Sequence, residues 1–155
     1  MNPDTSHFYL ILLVVHSYWR WLVLVSAVAA IGVGIGGKAA PFEVLGKKVG
    51  RLFIMAVDIQ LLLGIILYIE SPYVKMALSN MAVAMKTKDL RFFAVEHLTM
   101  MLIAAAVAHI GWVKARKAPD DAARYRRLSI WSAVSLVLML AGIPWWRPLA
   151  RALAF

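Results

Sequence analysis

Four long apolar runs restrict what this chain can fold into. They cover residues 8–36, 52–70, 90–113 and 128–146. Each has close to, or more than, the ~20 residues that an α-helix needs to cross ~30 Å of hydrocarbon. Backbone groups in lipid must be hydrogen-bonded within the segment, and the runs lack the alternation typical of membrane strands. The sequence therefore predicts an all-α, integral membrane four-helix bundle.

The composition supports one membrane domain. Of the 155 residues, 63% are hydrophobic and 16% are charged, which is too apolar for a water-facing surface. The length suits one bundle, so we predict a single domain over residues 1–155. Because no basic residue precedes the first run, we expect it to be a retained helix rather than a cleaved signal peptide. The chain has no cysteine, which excludes disulfides, iron–sulfur clusters and covalently attached c-type haem.

The positive charge predicts the orientation. A net charge of +9 would suggest nucleic acid in a soluble protein, but these basic residues cluster beside the apolar runs, so we expect contact with the lipid bilayer and not with nucleic acid. The connections after the first and third runs hold Lys38, Lys47, Lys48, Arg51, Lys114, Arg116, Lys117, Arg124, Arg126 and Arg127. The opposite side holds Lys75, Lys86, Lys88, Arg91, Arg147 and Arg151. The positive-inside rule predicts a multi-pass protein of the bacterial inner membrane, with both termini on the periplasmic side.

Two shorter features also give structural expectations. Ser71–Lys88 begins next to Pro72 and is rich in methionine, so we expect a short amphipathic helix on the outer surface. A group of glycines closes the first run, and since no strand precedes it, it predicts close helix packing or a helix stop instead of a dinucleotide loop. These are Gly32, Gly34, Gly36 and Gly37.

Ionisable residues inside the apolar runs are the candidate functional residues, because each costs several kcal/mol in lipid unless it is paired or serves a purpose. They are His16, Arg20, Asp58, Glu96, His97 and His109, with Gln60 as a neutral companion. His16 and Arg20 are four residues apart and share a helix face. Counted from the outer ends of their runs, the helical rise places His16 and His97 each about 12 Å deep. Counted from Lys38 and Lys114 at the inner ends, it places His16 about 7 Å further out than His97.

The simplest structural interpretation is an ion pair. Arg20 and Glu96 lie at similar depth on different helices, and each charge is expensive when unpaired. The imidazoles of His16 and His97 would then hydrogen-bond to the polar side chains of the second run or to the backbone. This arrangement would need no cofactor.

The alternative is a cofactor. Two histidines from different helices at similar depth suit a low-spin b-type haem, with one axial nitrogen on each side of the iron. His16 and His97 would be the metal ligands, while Arg20 would neutralise a haem propionate or pair with Glu96. Small residues follow each histidine along its helix, which leaves room for a flat macrocycle and equally permits close packing. These are Ala27, Ala30, Gly34, Ala104, Ala105 and Ala108. His109 is about 18 Å deeper than His97 and rotated away from it, so we do not expect it to ligate.

Four stretches carry a family resemblance. They are His16–Trp21 (HSYWRW), Ile59–Tyr68 (IQLLLGIILY), Arg91–Met101 (RFFAVEHLTMM) and Ile143–Trp145 (IPW). They resemble a group of small bacterial four-helix membrane proteins, common in Bacteroidetes-like genomes and often labelled "cytochrome b", over nearly the whole chain. The resemblance implies the same fold and favours haem b.

Two functions therefore fit the sequence. The first is an electron carrier that holds haem b between the first and third helices and passes electrons between a quinol and a redox partner. The second is a haem-free accessory subunit that stabilises a larger respiratory or redox membrane complex. Nothing in the sequence matches a nucleophile triad, a phosphate-binding loop or a zinc-protease motif, so we expect no hydrolytic chemistry.

Overall fold

Four long helices make up most of the computed structural model, which describes residues 7–37 and 40–147. Within these ranges all regular secondary structure is helical, so the prediction of an all-α fold is confirmed. The long helices span His7–Gly36, Gly46–Glu70, Lys88–Arg116 and Asp121–Ala141. They are called the first to fourth long helices below.

The helix ends depart from the predicted runs where polar residues extend or stop a helix. The second long helix begins at Gly46 instead of residue 52, because basic residues continue it beyond the apolar run. The fourth begins at Asp121, since a side-chain oxygen of Asp120 accepts a backbone N–H of the first turn at 2.8 Å. It ends at Ala141 instead of residue 146, because Pro144 follows closely and cannot continue a helix.

Three of these helices are long and apolar enough to cross a membrane. They are the first, second and third, and only 22%, 17% and 22% of their most apolar windows is buried inside the protein. The other residues of these windows are partly or fully exposed and include large hydrophobic side chains such as Val25 and Leu62. The fourth long helix is more polar, because three arginines lie in its first two turns.

The connection between the second and third long helices contains two short helices instead of the single one predicted. They span Pro72–Ser79 and Met81–Ala84. Each begins at a side-chain cap: the Ser71 hydroxyl accepts the N–H of its third following residue at 3.4 Å, and the Asn80 side chain does the same at 3.2 Å. The capping asparagine interrupts the helix that the composition suggested.

The half of the bundle toward residues 30 and 108 is closely packed. The first long helix contacts the second and the fourth, and the third contacts the fourth, whereas the second and third contact each other least among these neighbours. A Cβ at Gly34 would lie 2.7 Å from the backbone nitrogen of Ser129 and 2.8 Å from the carbonyl oxygen of Tyr125. Ala27, Ala30, Ala104 and Ala108 are buried in the same core. The small residues here serve close packing, and open space lies further along the bundle.

The connection between the first and second long helices is fixed to the fourth. The N–H of Phe42 donates to Asp121 at 3.0 Å, and the hydroxyl of Tyr125 donates to the carbonyl of Ala40 at 3.0 Å. The Phe42 and Tyr125 rings lie 5.2 Å apart and have no exposed surface. These contacts align the helices that carry the site at the opposite end of the bundle.

Candidate functional site

A cavity of about 160 Å³ is lined by the four long helices, by the start of the connection between the second and third, and by the segment that follows the fourth. Apolar and aromatic side chains form most of its wall, and a few polar groups converge on it, which is typical of a small-molecule site. The polar residues on the wall include His16, Ser17, Arg20, Gln60, His97 and Arg147. Of the four cofactor-binding residues predicted from the sequence, His16, Arg20 and His97 thus line one cavity.

His16 and His97 lie side by side in this cavity. Their ring centroids are 6.3 Å apart, and the ring planes are inclined by 71°. One imidazole comes from the first long helix and the other from the third. The depth estimate from the sequence placed these two residues near the same level, and the structure brings them together.

The main chain orients the imidazole of His97. Its Nδ1 lies 2.7 Å from the carbonyl oxygen of Gly142, and because a carbonyl can only accept, Nδ1 donates and Nε2 keeps its lone pair. A Cβ at residue 142 would collide with the Met101 methyl group and would lie 2.9 Å from Cγ of Met100. Glycine therefore lets the end of the fourth long helix approach His97 closely. Histidines that ligate metals are typically held through the second nitrogen in this way.

Gln60 orients His16 and leaves two polar atoms unsatisfied. Its amide nitrogen lies 3.2 Å from Nε2 of His16 and donates to the backbone carbonyl of His16 at 3.1 Å. His16 Nδ1 and Gln60 Oε1 are buried and have no hydrogen-bond partner among the described residues. Gly64 makes space for the ring, since a Cβ there would lie 3.2 Å from Cε1 of His16. An unsatisfied buried polar group costs about 1–3 kcal/mol, so these two atoms mark where a bound molecule would interact.

The predicted ion pair between Arg20 and Glu96 is wrong. Glu96 is exposed, and its carboxylate accepts from Nε of Arg91 at 2.6 Å. A π-helical turn at Phe92–Glu96 is the physical reason, because its wider winding stacks residues five apart. The sequence argument assumed α-helical winding, which would have directed Glu96 elsewhere.

Asp58 and His109 form a separate pair outside the cavity. Nε2 of His109 lies 3.0 Å from a carboxylate oxygen of Asp58, and its Nδ1 lies 2.9 Å from the carbonyl oxygen of Ala105. The two side chains are 54% and 44% exposed for Asp58 and His109, respectively. Asp58 and Gln60 are the polar residues of the second run that were expected to hydrogen-bond to His16 or His97. Only Gln60 does so.

Arg147 lines the cavity next to the connection between the second and third long helices, and sequence reasoning missed it. The guanidinium of Arg147 lies 4.7 Å from the centroid of the Tyr73 ring and 4.5 Å from that of Phe93. It also forms an ion pair with Asp89 at 2.8 Å. Sequence reasoning used Arg147 only to predict the orientation of the chain in the membrane. The basic residue just after the IPW stretch was the available hint.

The two imidazoles are the candidate metal ligands of the cavity. Within residues 7–37 and 40–147 no group of three or more His, Cys, Asp or Glu side chains could hold a metal ion. A metal between His16 and His97 would therefore take its other ligands from a molecule it arrives with, as the iron of haem does from its porphyrin. Comparisons of the chain with protein-family models, with curated proteins and with solved structures find no match.

Proposed function

We propose that this chain is a four-helix integral membrane protein of the bacterial inner membrane, which binds haem b between His16 and His97 and transfers electrons. The observation that carries the proposal is the meeting of the two imidazoles, 6.3 Å apart, in one cavity between two helices. Bis-imidazole ligation of this kind gives haem iron a site for one-electron transfer.

Membrane insertion is supported by the distribution of apolar surface. Three helices have the length and apolarity of membrane spans and leave most of that surface on the outside. A soluble protein would have to expose this surface to water, whereas a bilayer covers it. The apolar part of the fourth helix completes the bundle, and its arginines lie with the larger basic set at the cytoplasmic side.

The orientation is testable with reporters. A reporter fused after Phe155 is expected to report the periplasm, and one inserted near Ala118 the cytoplasm, because ten basic residues flank the connections on that side and six the other. Paired alkaline phosphatase and fluorescent protein fusions at both positions measure this. Reversed signals at both positions would overturn the orientation.

The donor set of the cavity fits haem. His97 presents Nε2, since its Nδ1 is engaged with the backbone at 2.7 Å, and the Nδ1 of His16 has no hydrogen-bond partner among the described residues. Arg20 and Arg147 both line the cavity, and either would neutralise a propionate through a charge-assisted hydrogen bond. The chain therefore offers ligands for the metal and counter-charges for the acidic substituents.

The volume of the cavity indicates what binding requires. About 160 Å³ is close to the ~150 Å³ of a cavity that binds benzene, and a porphyrin is much larger. Haem can bind only if neighbouring helices move apart. Among the adjacent helices of the bundle, the second and third contact each other least, so we expect the bundle to open between them.

A reduced-minus-oxidised absorption spectrum tests the proposal. Protein expressed with an ample haem supply and purified in detergent is expected to show a Soret band that shifts on reduction, with one haem per chain. A colourless protein would refute the electron-carrier proposal. A colourless protein that co-purified with subunits of a defined membrane complex would establish the accessory function instead.

A quinone site is the second candidate, and the size of the cavity favours it. A single ring fits about 160 Å³ without helix movement, and a quinol hydroxyl could donate to the unsatisfied Oε1 of Gln60. In this case Gln60→Leu is expected to weaken binding of a short-tail quinol at least tenfold, because that acceptor is removed, as measured by fluorescence titration in nanodiscs. Asp58→Asn, outside the cavity, is the control. Equal affinity in wild type and Gln60→Leu would contradict this candidate.

A further inference from the structure

The third long helix contains one residue more than regular α-helical winding would place between two fixed points. Near its start, Asp89 forms the 2.8 Å ion pair with Arg147. Further along, Ala104 is fully buried, and its carbonyl accepts from the hydroxyl of Ser135 at 2.9 Å. The π-helical turn at Phe92–Glu96 lies between these points and accommodates the additional residue, because a π turn contains about one residue more than an α turn.

The position of this turn decides where the His97 imidazole points. Because the helix is fixed on both sides of the turn, the additional residue can move along the helix but cannot be lost. If the turn moved past His97, that residue would rotate by about 100° and shift by about 1.5 Å, the step of one residue in an α-helix. The imidazole would then leave the wall of the cavity and lose its 2.7 Å contact with the carbonyl oxygen of Gly142. Contacts that keep the turn before His97 therefore keep the imidazole in the cavity.

Two contacts among the described residues depend on the present place of the turn. The hydroxyl of Tyr68 on the second long helix donates to the backbone carbonyl of Ala94, in the middle of the turn, at 2.9 Å. Nε of Arg91 donates to the carboxylate of Glu96 at 2.6 Å. Residues five apart lie on one face in a π turn but about 140° apart in an α-helix. Movement of the turn would rotate one partner of each contact, so both contacts favour π winding at this point.

We propose that Tyr68 and the pair of Arg91 and Glu96 are positioning residues, which keep the π turn before His97 and so keep this imidazole in the cavity. Tyr68 acts from the second long helix, so the direction of an imidazole on the third long helix depends on a side chain of its neighbour. As a statement about a haem ligand, the inference rests on the proposed function, whereas the place of the turn does not depend on haem.

Hydrogen exchange at the backbone amide of His97 tests the role of Tyr68. This N–H donates to the carbonyl of Phe92 within the turn, so movement of the turn opens it to exchange. Tyr68→Phe is expected to speed this exchange about fivefold, the factor that corresponds to one net hydrogen bond, as measured by NMR in detergent. Tyr18→Phe, the same change at a 52% exposed position of the first long helix, is the matched control and should leave the rate unchanged. An unchanged rate in Tyr68→Phe, or an equal increase at the amide of Ala108 outside the turn, would refute the positioning role.

Deletion of Val95 tests the additional residue itself. The deletion leaves regular α-helical winding, so the side chains on both sides of the turn keep their directions. We expect this variant to fold and to retain the Nδ1–H signal of His97 in nitrogen NMR of isotope-labelled histidine. Deletion of Ala106, outside the turn, is the matched control, because it rotates the two parts of the helix by about 100° relative to each other, and it is expected to abolish that signal. Equal loss of the signal in both variants would contradict the proposal.

The haem spectrum separates this inference from the proposed function. The variant without Val95 is expected to retain the low-spin spectrum of the wild type, and the variant without Ala106 to lose it. A wild-type protein that bound no haem would refute the proposed function, whereas the exchange rate at His97 would still test the place of the turn. Haem binding by the wild type together with loss of the low-spin spectrum on deletion of Val95 would refute the positioning of His97 alone.

Discussion

Alanine in place of His16 or His97 is expected to abolish the low-spin haem spectrum or to convert it to a high-spin spectrum. Each substitution removes one of the two imidazoles that meet 6.3 Å apart in the cavity, and without cysteine no side chain of comparable ligand strength replaces it. Absorption and electron paramagnetic resonance spectra of the purified variants measure the change. Met in place of His97 should retain haem with a raised reduction potential, since thioether ligation favours ferrous iron.

His109→Ala is the matched control for these variants. His109 is also an imidazole within the third long helix, but it contacts Asp58 outside the cavity at 3.0 Å. Its removal should leave the haem spectrum unchanged. Normal haem binding after removal of both His16 and His97 would place the ligands elsewhere and refute the assigned site.

Valine in place of Gly34 is expected to give the largest loss of stability among single glycine substitutions in the first long helix. The added Cβ would lie 2.7 Å from the backbone nitrogen of Ser129 and 2.8 Å from the carbonyl oxygen of Tyr125. Overpacking typically costs about 1–3 kcal/mol, and backbone neighbours cannot rotate away as side chains do. Thermal unfolding in detergent, followed by circular dichroism, should show a Tm lowered by several degrees.

Gly32→Val provides the comparison for this variant. Gly32 lies two residues away on the same helix, and a Cβ added there would have no described neighbour within 4 Å. Its substitution carries the same change in helix propensity without the collision. Equal melting temperatures for the two variants would show that the first and fourth long helices do not need the close approach at Gly34.

The sequence predicted the helices and the similar depth of His16 and His97 because both depend on simple regularities. Apolar run length fixes where a helix can cross a membrane, and the constant rise per residue fixes depth. Neither regularity requires knowledge of the neighbours. Residue type and spacing were therefore enough to predict these parts of the site.

The predictions that were wrong or missing concern contacts that depend on a local irregularity of a helix or on a backbone atom. The π-helical turn at Phe92–Glu96 changes the winding just before His97 and pairs Glu96 with Arg91 instead of Arg20. The hydrogen-bond partner of His97 is the backbone carbonyl of Gly142. Because every residue has a backbone carbonyl, no residue type in the sequence indicates this partner. Arg147 lies in a turn after the fourth helix, where the constant rise no longer gives its position.

The close approach of Gly142 to the third long helix has a consequence for how this protein can change in evolution. The hydrogen bond to His97 comes from a main-chain oxygen, so no exchange of side chains at residue 142 removes the acceptor itself. The side chain at that position is restricted instead, because Met100 and Met101 occupy the space of a Cβ. A chimera that replaced the fourth helix by one with a larger residue at position 142 would have to shorten these methionines as well. Substitutions at residue 142 and at residues 100 and 101 are therefore expected to occur together.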